Sequence, residues 1–159
     1  MLMPKITPCL WFDGKAEEAM NFYTAIFKNS KVGTVTRYGE AGPGKKGSLM
    51  TASFEIEGQE FLALNGGPHF KFSPAISFIV HCRTQAEVDR FWTKLGESGN
   101  PQQCGWVTDK FGVSWQVVPT VLPKMMRDKD PEKTRRVMEA MLKMVKLDIA
   151  ALKRAYDQG

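Results

Sequence analysis

Residues 6–27 read ITPCLWFDGKAEEAMNFYTAIF, a strand pattern followed at once by a helix pattern. Polar and apolar residues alternate through Ile6–Phe12, which predicts a β-strand. One face of that strand would carry Ile6, Leu10 and Phe12, and the other Thr7, Cys9 and Trp11. Asp13 suits the N-cap of the helix, and the apolar positions after it recur at helical spacing. Those positions are Ala16, Ala19, Met20, Tyr23, Ile26 and Phe27.

Three further strand patterns follow this helix. They are predicted at Lys31–Tyr38, Leu49–Glu57 and Gln59–Asn65. β-Branched alternation marks the first, and a turn near Gly58 joins the other two as a hairpin. The glycine-rich segment Gly39–Gly47 is interpreted as a mobile surface loop, and the sequence assigns it no further role.

The same order of elements recurs about 70 residues later, which predicts one supersecondary unit used twice. Ala75–His81 has the pattern of a strand, and Thr84–Glu87 is a capping box that begins a helix. Strands at Gln102–Thr108 and Val113–Val118 close the second unit. We expect the first strand of each unit to bury its apolar face against the helix. The residues buried in this way would be Ile6, Leu10 and Phe12, and Ile76, Phe78 and Val80.

The sequence pattern changes at residues 119–159, where helix starts and apolar residues at helical spacing predict short helices. Asp130 followed by Pro131 suits one helix start, and Asp148 suits another. The apolar stripes are Val137, Met138, Met141, Leu142 and Val145, and then Ile149, Leu152 and Tyr156. Most of the net charge of +5 lies here, with 10 basic and 6 acidic residues against 12 and 11 in residues 1–118. Because these charges alternate with apolar residues at helical spacing, we interpret them as solvated helix faces rather than a nucleic-acid or lipid surface.

The composition is that of an ordinary globular domain, with 43% hydrophobic and 25% charged residues. The cysteines Cys9, Cys82 and Cys104 are odd in number and form no CxxC pair, which favours a reducing compartment over a disulfide framework. No apolar run reaches the roughly 20 residues of a membrane span. The first residues lack a signal-peptide pattern. We therefore expect a soluble cytoplasmic protein without a membrane partner.

Two nucleotide-binding motifs fail in this sequence. Residues 39–46, GEAGPGKK, nearly spell a phosphate loop, but Lys46 stands where that loop needs Ser or Thr. A strand pattern follows it, so no helix N-terminus would face a phosphate. No GxGxxG follows a predicted strand, which leaves neither a dinucleotide site nor a Rossmann-type methyltransferase site visible.

The histidines are His69 and His81, and neither has a partner at metal-binding spacing. His81 ends a strand and is interpreted as structural. His69 follows two glycines and a proline in a loop. It could act as an acid or base, or equally stack under Phe70 or Phe72.

Five blocks of the sequence are recognisable together. They are PCLWFDGKAEEAMNFYTAIF, LALNGGPHFKFSPAISFIV, TQAEVDRFWTKL, CGWVTDKFGVSWQVVP and, in the tail, AMLKMVKLDIAALKRAY. They resemble the PhnB-like branch of the glyoxalase/bleomycin-resistance/dioxygenase (vicinal oxygen chelate) superfamily, whose members often carry the label 3-demethylubiquinone-9 3-methyltransferase. The resemblance implies an α+β fold in which two βαβββ modules, residues 4–66 and 74–118, form a curved mixed sheet with a cleft. Residues 119–159 would be a helical extension of the same domain.

The wider superfamily holds a divalent metal with one ligand from the first and one from the last strand of each module. The resemblance places those positions near Thr7, Asn65, Ser77 and Gln116. Two hydroxyls and two amides carry no charge to offset a divalent ion. We therefore expect no metal and no cofactor.

The resemblance and the strand alternation together predict a small-molecule site in the cleft. Its expected lining is Thr7, Cys9, Trp11, Phe61, Asn65, Ser77, Ile79, Ser114 and Gln116. The expected ligand is planar or aromatic, with Trp11 stacking on it and two amides, Asn65 and Gln116, orienting it. His69 at the rim is the acid–base candidate.

Binding without turnover and unassigned catalysis remain open as functions of this site. The alternatives are a metal-dependent enzyme of the lyase or dioxygenase kind and, least favoured, the labelled methyltransferase. We expect no nucleic-acid partner. We do expect a homodimer, because the tail has more apolar stripe than a chain end needs. The tail residues concerned are Met138, Met141, Leu142 and Met144.

Overall fold

Strand β1 (Cys9–Phe12) and helix α1 (Ala16–Ile26) open the first module of the computed structural model, which describes residues 3–158. Strands β2 (Ser30–Arg37), β3 (Leu49–Ile56) and β4 (Gln59–Asn65) complete a βαβββ unit. The sheet order is β1-β4-β3-β2, with β1 and β4 parallel and the other neighbours antiparallel. The predicted order of elements is therefore confirmed for this module.

The core of the first module lies between α1 and one face of its sheet. The Tyr23 ring of α1 stacks on Phe54 of β3 with 6.0 Å between centroids, and Phe54 stacks on Phe61 of β4 at 5.4 Å. All three rings are buried, and aromatic side chains of this size contribute strongly to core stability. Leu10 and Phe12 of β1 are buried on the same side, as predicted.

The second module repeats this topology. Its elements are β5 (Ser77–Cys82), α2 (Gln85–Leu95), β6 (Asn100–Pro101), β7 (Trp106–Thr108) and β8 (Ser114–Pro119). The sheet order is β5-β8-β7-β6, again with the first and last strands parallel. The prediction of an α+β fold with two βαβββ modules is thus confirmed.

Two isoleucines that the sequence placed in the module cores lie at the surface instead. Ile6 is 81% exposed and Ile76 is 74% exposed. Strand β1 begins only at Cys9, because Pro8 before it has no N–H to donate to a ladder. Ile76 belongs to a turn before β5, in which its N–H donates to the carbonyl of Ser73 at 3.4 Å.

The predicted strand Gln102–Thr108 is interrupted. Only its end forms β7, and the two-residue strand β6 lies just before the predicted strand. Cys104 and Gly105 have positive φ angles of 60° and 83°, outside the strand region. Their N–H groups donate to the carbonyls of Met144 and Val145 at 2.9 and 2.8 Å. The break therefore depends on the tail, which no local pattern shows.

The tail forms helices α3 (Val121–Met126), α4 (Pro131–Leu142) and α5 (Ile149–Asp157). The predicted caps are confirmed: Asp130 accepts from the N–H of Glu132 at 2.9 Å, and Asp148 from that of Ala151 at 3.1 Å. Within residues 3–158, none of the helices combines the length and apolar character needed to cross a membrane.

The tail packs against the second module, and the chain divides into its two units between Phe72 and Ser73, with the tail in the second. The Gln85 side chain of α2 donates to the Leu147 carbonyl at 3.1 Å and accepts from the Ile149 N–H at 2.8 Å. A separate apolar cluster forms the core of the tail. Its buried members are Leu122, Met125, Val137, Leu147 and Leu152.

Candidate functional site

Four predicted site residues share the face of the second sheet that is turned away from α2. Strand register aligns Ser77 with Ser114 and Ile79 with Gln116, so these side chains project to the same side. The Gln116 amide donates to the Ser77 hydroxyl at 2.9 Å. Ile79 is 50% exposed beside this pair. We call this surface, Ser77, Ile79, Ser114 and Gln116, the second open face.

Two further residues on this face were missed by the sequence analysis. Trp106 lies opposite Gln116, and Thr108 lies opposite Ser114 in the antiparallel β7–β8 pair. The signal was present in the sequence, since Trp106 and Thr108 alternate with the buried Val107. The second open face therefore has a half-buried indole next to its polar pair.

The helical tail bounds the second open face at the carboxyl end of β8. Val118 follows Gln116 by two residues and so projects to the same side of the sheet. Val118 packs against the buried apolar cluster of the tail. Contact with α3–α5 thus covers this end of the face.

In the first module, Cys9 and Trp11 lie on the sheet face turned away from α1. Register pairs them with Leu62 and Leu64 of β4, whose side chains are half-buried. The neighbours Leu10 and Phe12 turn toward the helix, as strand alternation requires. We call Cys9, Trp11, Leu62 and Leu64 the first open face.

Trp11 is held in place by the turn that follows β4. Its indole N–H donates to the Gly67 carbonyl at 2.9 Å, and the Phe70 ring packs edge-on with 4.9 Å between centroids. A Cβ at Gly66 would lie 2.3 Å from the indole carbons, so this close approach requires glycine. Phe70 itself is 66% exposed, which leaves an accessible aromatic ring beside the indole.

Phe61 and Asn65 face α1 and not the open side of the sheet, which corrects the predicted lining. Phe61 belongs to the buried aromatic stack of the core. The Asn65 side-chain oxygen accepts from the N–H of Ala16 at 2.9 Å, and its amide nitrogen donates to the Leu49 carbonyl at 3.3 Å. Asn65 therefore satisfies the first N–H of α1 in place of the predicted cap, Asp13.

Thr7 and His69 lie outside the strands. Thr7 precedes β1 and is half-buried. His69 is exposed in the segment after β4, and its side chain makes no hydrogen bond or ion pair with any of residues 3–158. The aromatic rings next to His69 in sequence pack on other residues. Phe70 packs on Trp11, and Phe72 packs on Phe12 with 5.3 Å between ring centroids.

The pKa shifts of Cys9 and Cys82 argue against either of these thiols as a nucleophile. Burial, with a smaller contribution from the negative charge of Glu87, raises the pKa of Cys82 to about 12. Partial burial also raises the pKa of the Cys9 thiol above its ordinary value, although the residue as a whole is exposed to solvent. A raised pKa keeps the thiol protonated near neutral pH, and the thiolate is the reactive form.

The buried carboxylate of Asp109 is part of the turn before β8. One oxygen accepts from the N–H groups of Phe111 and Val113 at 2.9 and 3.0 Å. The other accepts from the Trp115 indole N–H at 2.9 Å. Asp109 thus stabilises the turn that places Ser114 and Gln116.

The four positions at which the superfamily would place metal ligands do not fit a divalent ion. The Asn65 oxygen already accepts from α1, and the Gln116 amide is bonded to Ser77. None of Thr7, Asn65, Ser77 and Gln116 carries a charge to compensate the desolvation of the ion. Within the described residues 3–158, no three side chains of the His, Cys, Asp or Glu type come together as ligands.

Two βαβββ modules, each with its first and last strands parallel, define a protein of the glyoxalase fold. The family model of 3-demethylubiquinone-9 3-methyltransferase matches residues 4–118, and the chain belongs to this family. The match ends at residue 118, so the helical tail lies outside it although one of its blocks resembles the PhnB-like branch. No curated protein matches the chain.

Solved structures support the same assignment. The chain is 42% identical to the PhnB protein of Bacillus cereus, which bears the same family description, over 74% of this chain and 100% of that one, with a TM-score of 0.67. A Pseudomonas aeruginosa protein is 22% identical over 74% of this chain and 98% of that chain, with a TM-score of 0.61. The fosfomycin resistance protein FosX of Mesorhizobium loti is 13% identical over 80% of this chain and 100% of its own, with a TM-score of 0.54. The last two likenesses show the fold alone.

Proposed function

We propose that this chain binds a small planar or aromatic molecule through an open face of its sheets, without a metal. The observation that carries the proposal is the second open face. There the hydrogen-bonded pair of Gln116 and Ser77 lies beside the half-exposed Ile79 and the indole of Trp106. A few polar groups among apolar and aromatic side chains is the usual composition of a small-molecule site.

The hydrogen-bonding capacity of Gln116 favours a ligand with polar groups in its plane. One amide N–H is used by Ser77, and the side chain makes no other hydrogen bond with residues 3–158. The carbonyl oxygen and the second N–H remain as an acceptor and a donor in one plane. A planar ligand with both functions at one edge would pair with them.

The pair of Trp11 and Phe70 on the first module is the second support for an aromatic ligand. The indole N–H is already bonded to Gly67, so Trp11 would contribute its ring surface rather than its donor. The half-buried Trp11 ring and the exposed Phe70 ring, set edge to face, offer both a face and an edge to a further ring.

Turnover of the bound molecule is a separate proposal, and it is secondary to the proposal of binding. His69 is the acid–base candidate because a histidine side chain titrates near neutral pH. The family description names methyl transfer to 3-demethylubiquinone, which is a planar ring. Such a transfer also needs a methyl donor, and the sequence has no glycine-rich strand-to-helix turn of the kind that binds S-adenosylmethionine in Rossmann-type enzymes.

A thermal-shift screen of planar metabolites, with a short-chain demethylubiquinol analogue among them, is expected to find a stabilising ligand. Gln116→Ala should weaken by about 1–3 kcal/mol in calorimetry the binding of a ligand held by the second open face, because the change removes a pair of hydrogen bonds. Trp11→Ala should weaken by a similar amount the binding of a ligand held by the first open face, because it removes a stacking surface. Gln59→Ala, an exposed amide on β4, is the matched control and should bind normally. Dialysis against EDTA should leave the affinity unchanged.

Two results would contradict this proposal. One is a ligand whose affinity is normal in the Gln116→Ala variant and also in the Trp11→Ala variant, so that neither open face holds it. The other is loss of binding on chelation that added zinc or manganese restores. Methyl transfer from S-adenosylmethionine to the analogue, followed by mass spectrometry, would instead establish the activity in the family description.

We also propose a homodimer that uses the outer surface of the tail. Met138, Leu142 and Val145 are 37%, 58% and 43% exposed, although Val137 and Met141 beside them pack inward. Leu142→Glu is expected to shift the protein to monomer in light scattering at micromolar concentration, because it places a charge in the apolar contact. Lys143→Glu, exposed next to it, is the control. A monomeric wild-type protein in the same measurement would contradict the proposed homodimer.

A cytoplasmic location without a nucleic-acid partner is proposed on chemical grounds. Cys9, Cys82 and Cys104 all carry free thiols, as is usual in a reducing compartment. Charges of the tail are engaged within it, since Arg135 pairs with Glu132 and Glu139 at 2.8 Å. Cell fractionation and a gel-shift assay would test the two statements.

A further inference from the structure

A cavity of about 400 Å³ lies in the first module, where the parallel strands β1 and β4 end. Its walls come from the first turn of α1, from the connection between β2 and β3, and from the end of β4. The lining residues that bear on its chemistry are Glu17, Arg37, Tyr38, Gly44, Ser48 and Asn65. The volume falls in the range of small-molecule sites.

Tyr38 gives this cavity a fixed wall. Its hydroxyl donates to the main-chain carbonyl of Asn65, and its ring lies so close to Gly44 that a Cβ there would approach to 2.2 Å. Backbone hydrogen bonds of 2.9 and 2.8 Å tie Tyr38 to Ser48 and Gly47. The glycine-rich loop is thus anchored over a buried ring, and the cavity beneath it is pre-formed, which lowers the cost of binding.

Two opposite charges line the cavity, and neither forms an ion pair within residues 3–158. The Glu17 side chain makes no hydrogen bond or ion pair with residues 3–158. Arg37 makes one side-chain hydrogen bond in that part of the chain, to the Gly47 carbonyl at 3.3 Å, and no ion pair. Nearby charges are paired, since Lys15 lies 3.4 Å from Glu18 and Lys46 contacts Glu40.

We infer that this cavity binds a small zwitterion with one carboxylate and one ammonium group, as in a free amino acid. The Arg37 guanidinium can hold a carboxylate through two parallel N–H···O bonds. Glu17 accepts from the ammonium group. The Ser48 hydroxyl donates to the Lys45 carbonyl at 2.5 Å, which leaves its oxygen as a further acceptor.

The presence of both charges in the cavity selects against ligands that carry only one charged group. A simple anion would meet the Glu17 carboxylate, and a simple cation would meet the Arg37 guanidinium, each at an electrostatic cost. The site is independent of the two open faces, because neither Glu17 nor Arg37 belongs to them. It also assigns a role to the loop Gly39–Gly47 as a wall of the cavity.

The test uses the whole chain and the standard L-amino acids as probes, by ligand-observed NMR and then calorimetry. At least one is expected to bind. Its N-acetyl and C-amide derivatives should each bind about tenfold more weakly or worse, because each loses one charge-assisted contact. Arg37→Gln and Glu17→Gln should each weaken the parent amino acid by a similar factor. Lys31→Gln on the same strand and Glu18→Gln in the same helical turn are matched controls and should bind normally.

A pair of glycine variants tests the loop as a wall of the cavity. Gly44→Ala should abolish binding, because the new Cβ forces the loop away from Tyr38, whereas Gly39→Ala meets nothing within 4 Å and should bind normally. Equal melting temperatures for both variants would show that the loss is local. The inference is overturned if no amino acid binds at about 10 mM, a Kd too weak for a specific site. It is also overturned if Glu17→Gln leaves the affinity unchanged, since the ligand would then be an anion held by Arg37 alone.

Discussion

Replacing Asp109 with alanine is expected to lower the free energy of unfolding by about 3 kcal/mol or more, because three donors lose their acceptor. The carboxylate is 3% exposed and accepts from two main-chain N–H groups and from the Trp115 indole. A buried donor left without a partner costs about 1–3 kcal/mol, and no water replaces the carboxylate easily at such a site. The change should therefore destabilise the second module, including the turn that places Ser114 and Gln116 on its open face.

Urea unfolding measures this effect, provided that the dependence on denaturant is unchanged in the variant. Asp109→Asn keeps the oxygen that serves Phe111 and Val113 but presents an NH₂ group to the indole, so we expect an intermediate loss. Asp13→Ala, an exposed carboxylate in the first module, is the control and should stay within about 0.5 kcal/mol of the parent. A loss below about 1 kcal/mol in Asp109→Ala would contradict the role given to this carboxylate.

Asn65→Ala is expected to lower the free energy of unfolding by about 1–2 kcal/mol, which is the effect of removing a helix cap. The Ala16 N–H at the start of α1 would lose its acceptor, and the Leu49 carbonyl would lose a donor. Asn65→Asp keeps the acceptor and adds a negative charge near the helix N-terminus, where it is favourable. This second variant should recover most of the loss.

The same variants distinguish a structural Asn65 from a ligand-binding one. Because its side chain faces α1, Asn65→Asp should bind a planar ligand of the first open face as the parent does. The matched control is Asp13→Ala, which removes the cap that the sequence pattern favours and should leave stability nearly unchanged. If Asp13→Ala lowered the free energy of unfolding as much as Asn65→Ala does, Asp13 and not Asn65 would be the cap of α1.

The order of elements was accessible from sequence because each element has a local signature. Thr84 accepts from the Glu87 N–H at 3.2 Å, as the capping box predicts, and β4 has the predicted bounds. The boundaries that failed depend on distant partners. The predicted strand at Gln102–Thr108 breaks where Cys104 and Gly105 bond to the tail, and this contact crosses about 40 residues of sequence.

The lining of the candidate site was predictable only where the alternation of side chains along a single strand determines which residues share a face. Ser77 and Ile79 lie two residues apart, as do Ser114 and Gln116, so each pair must share a face. The faces of Phe61 and Asn65 were predicted incorrectly, because alternation does not say which side of β4 meets the helix. That choice follows from the register with β1 and β3, which aligns Phe61 with the buried Phe54 and Asn65 with the buried Phe12.

By itself, the sequence determined the order of elements in the two βαβββ modules and the caps of α2, α4 and α5, since periodicity and capping are properties of neighbouring residues. The resemblance of its sequence blocks to the PhnB-like branch indicated the glyoxalase-fold family. The tertiary structure alone decided that Asn65 caps a helix whose first N–H lies 49 residues away in sequence. It also decided that Glu17 and Arg37 line one cavity. Such contacts depend on which strands pair and in which register, and pairing is settled by the packing of the whole module rather than by any local pattern.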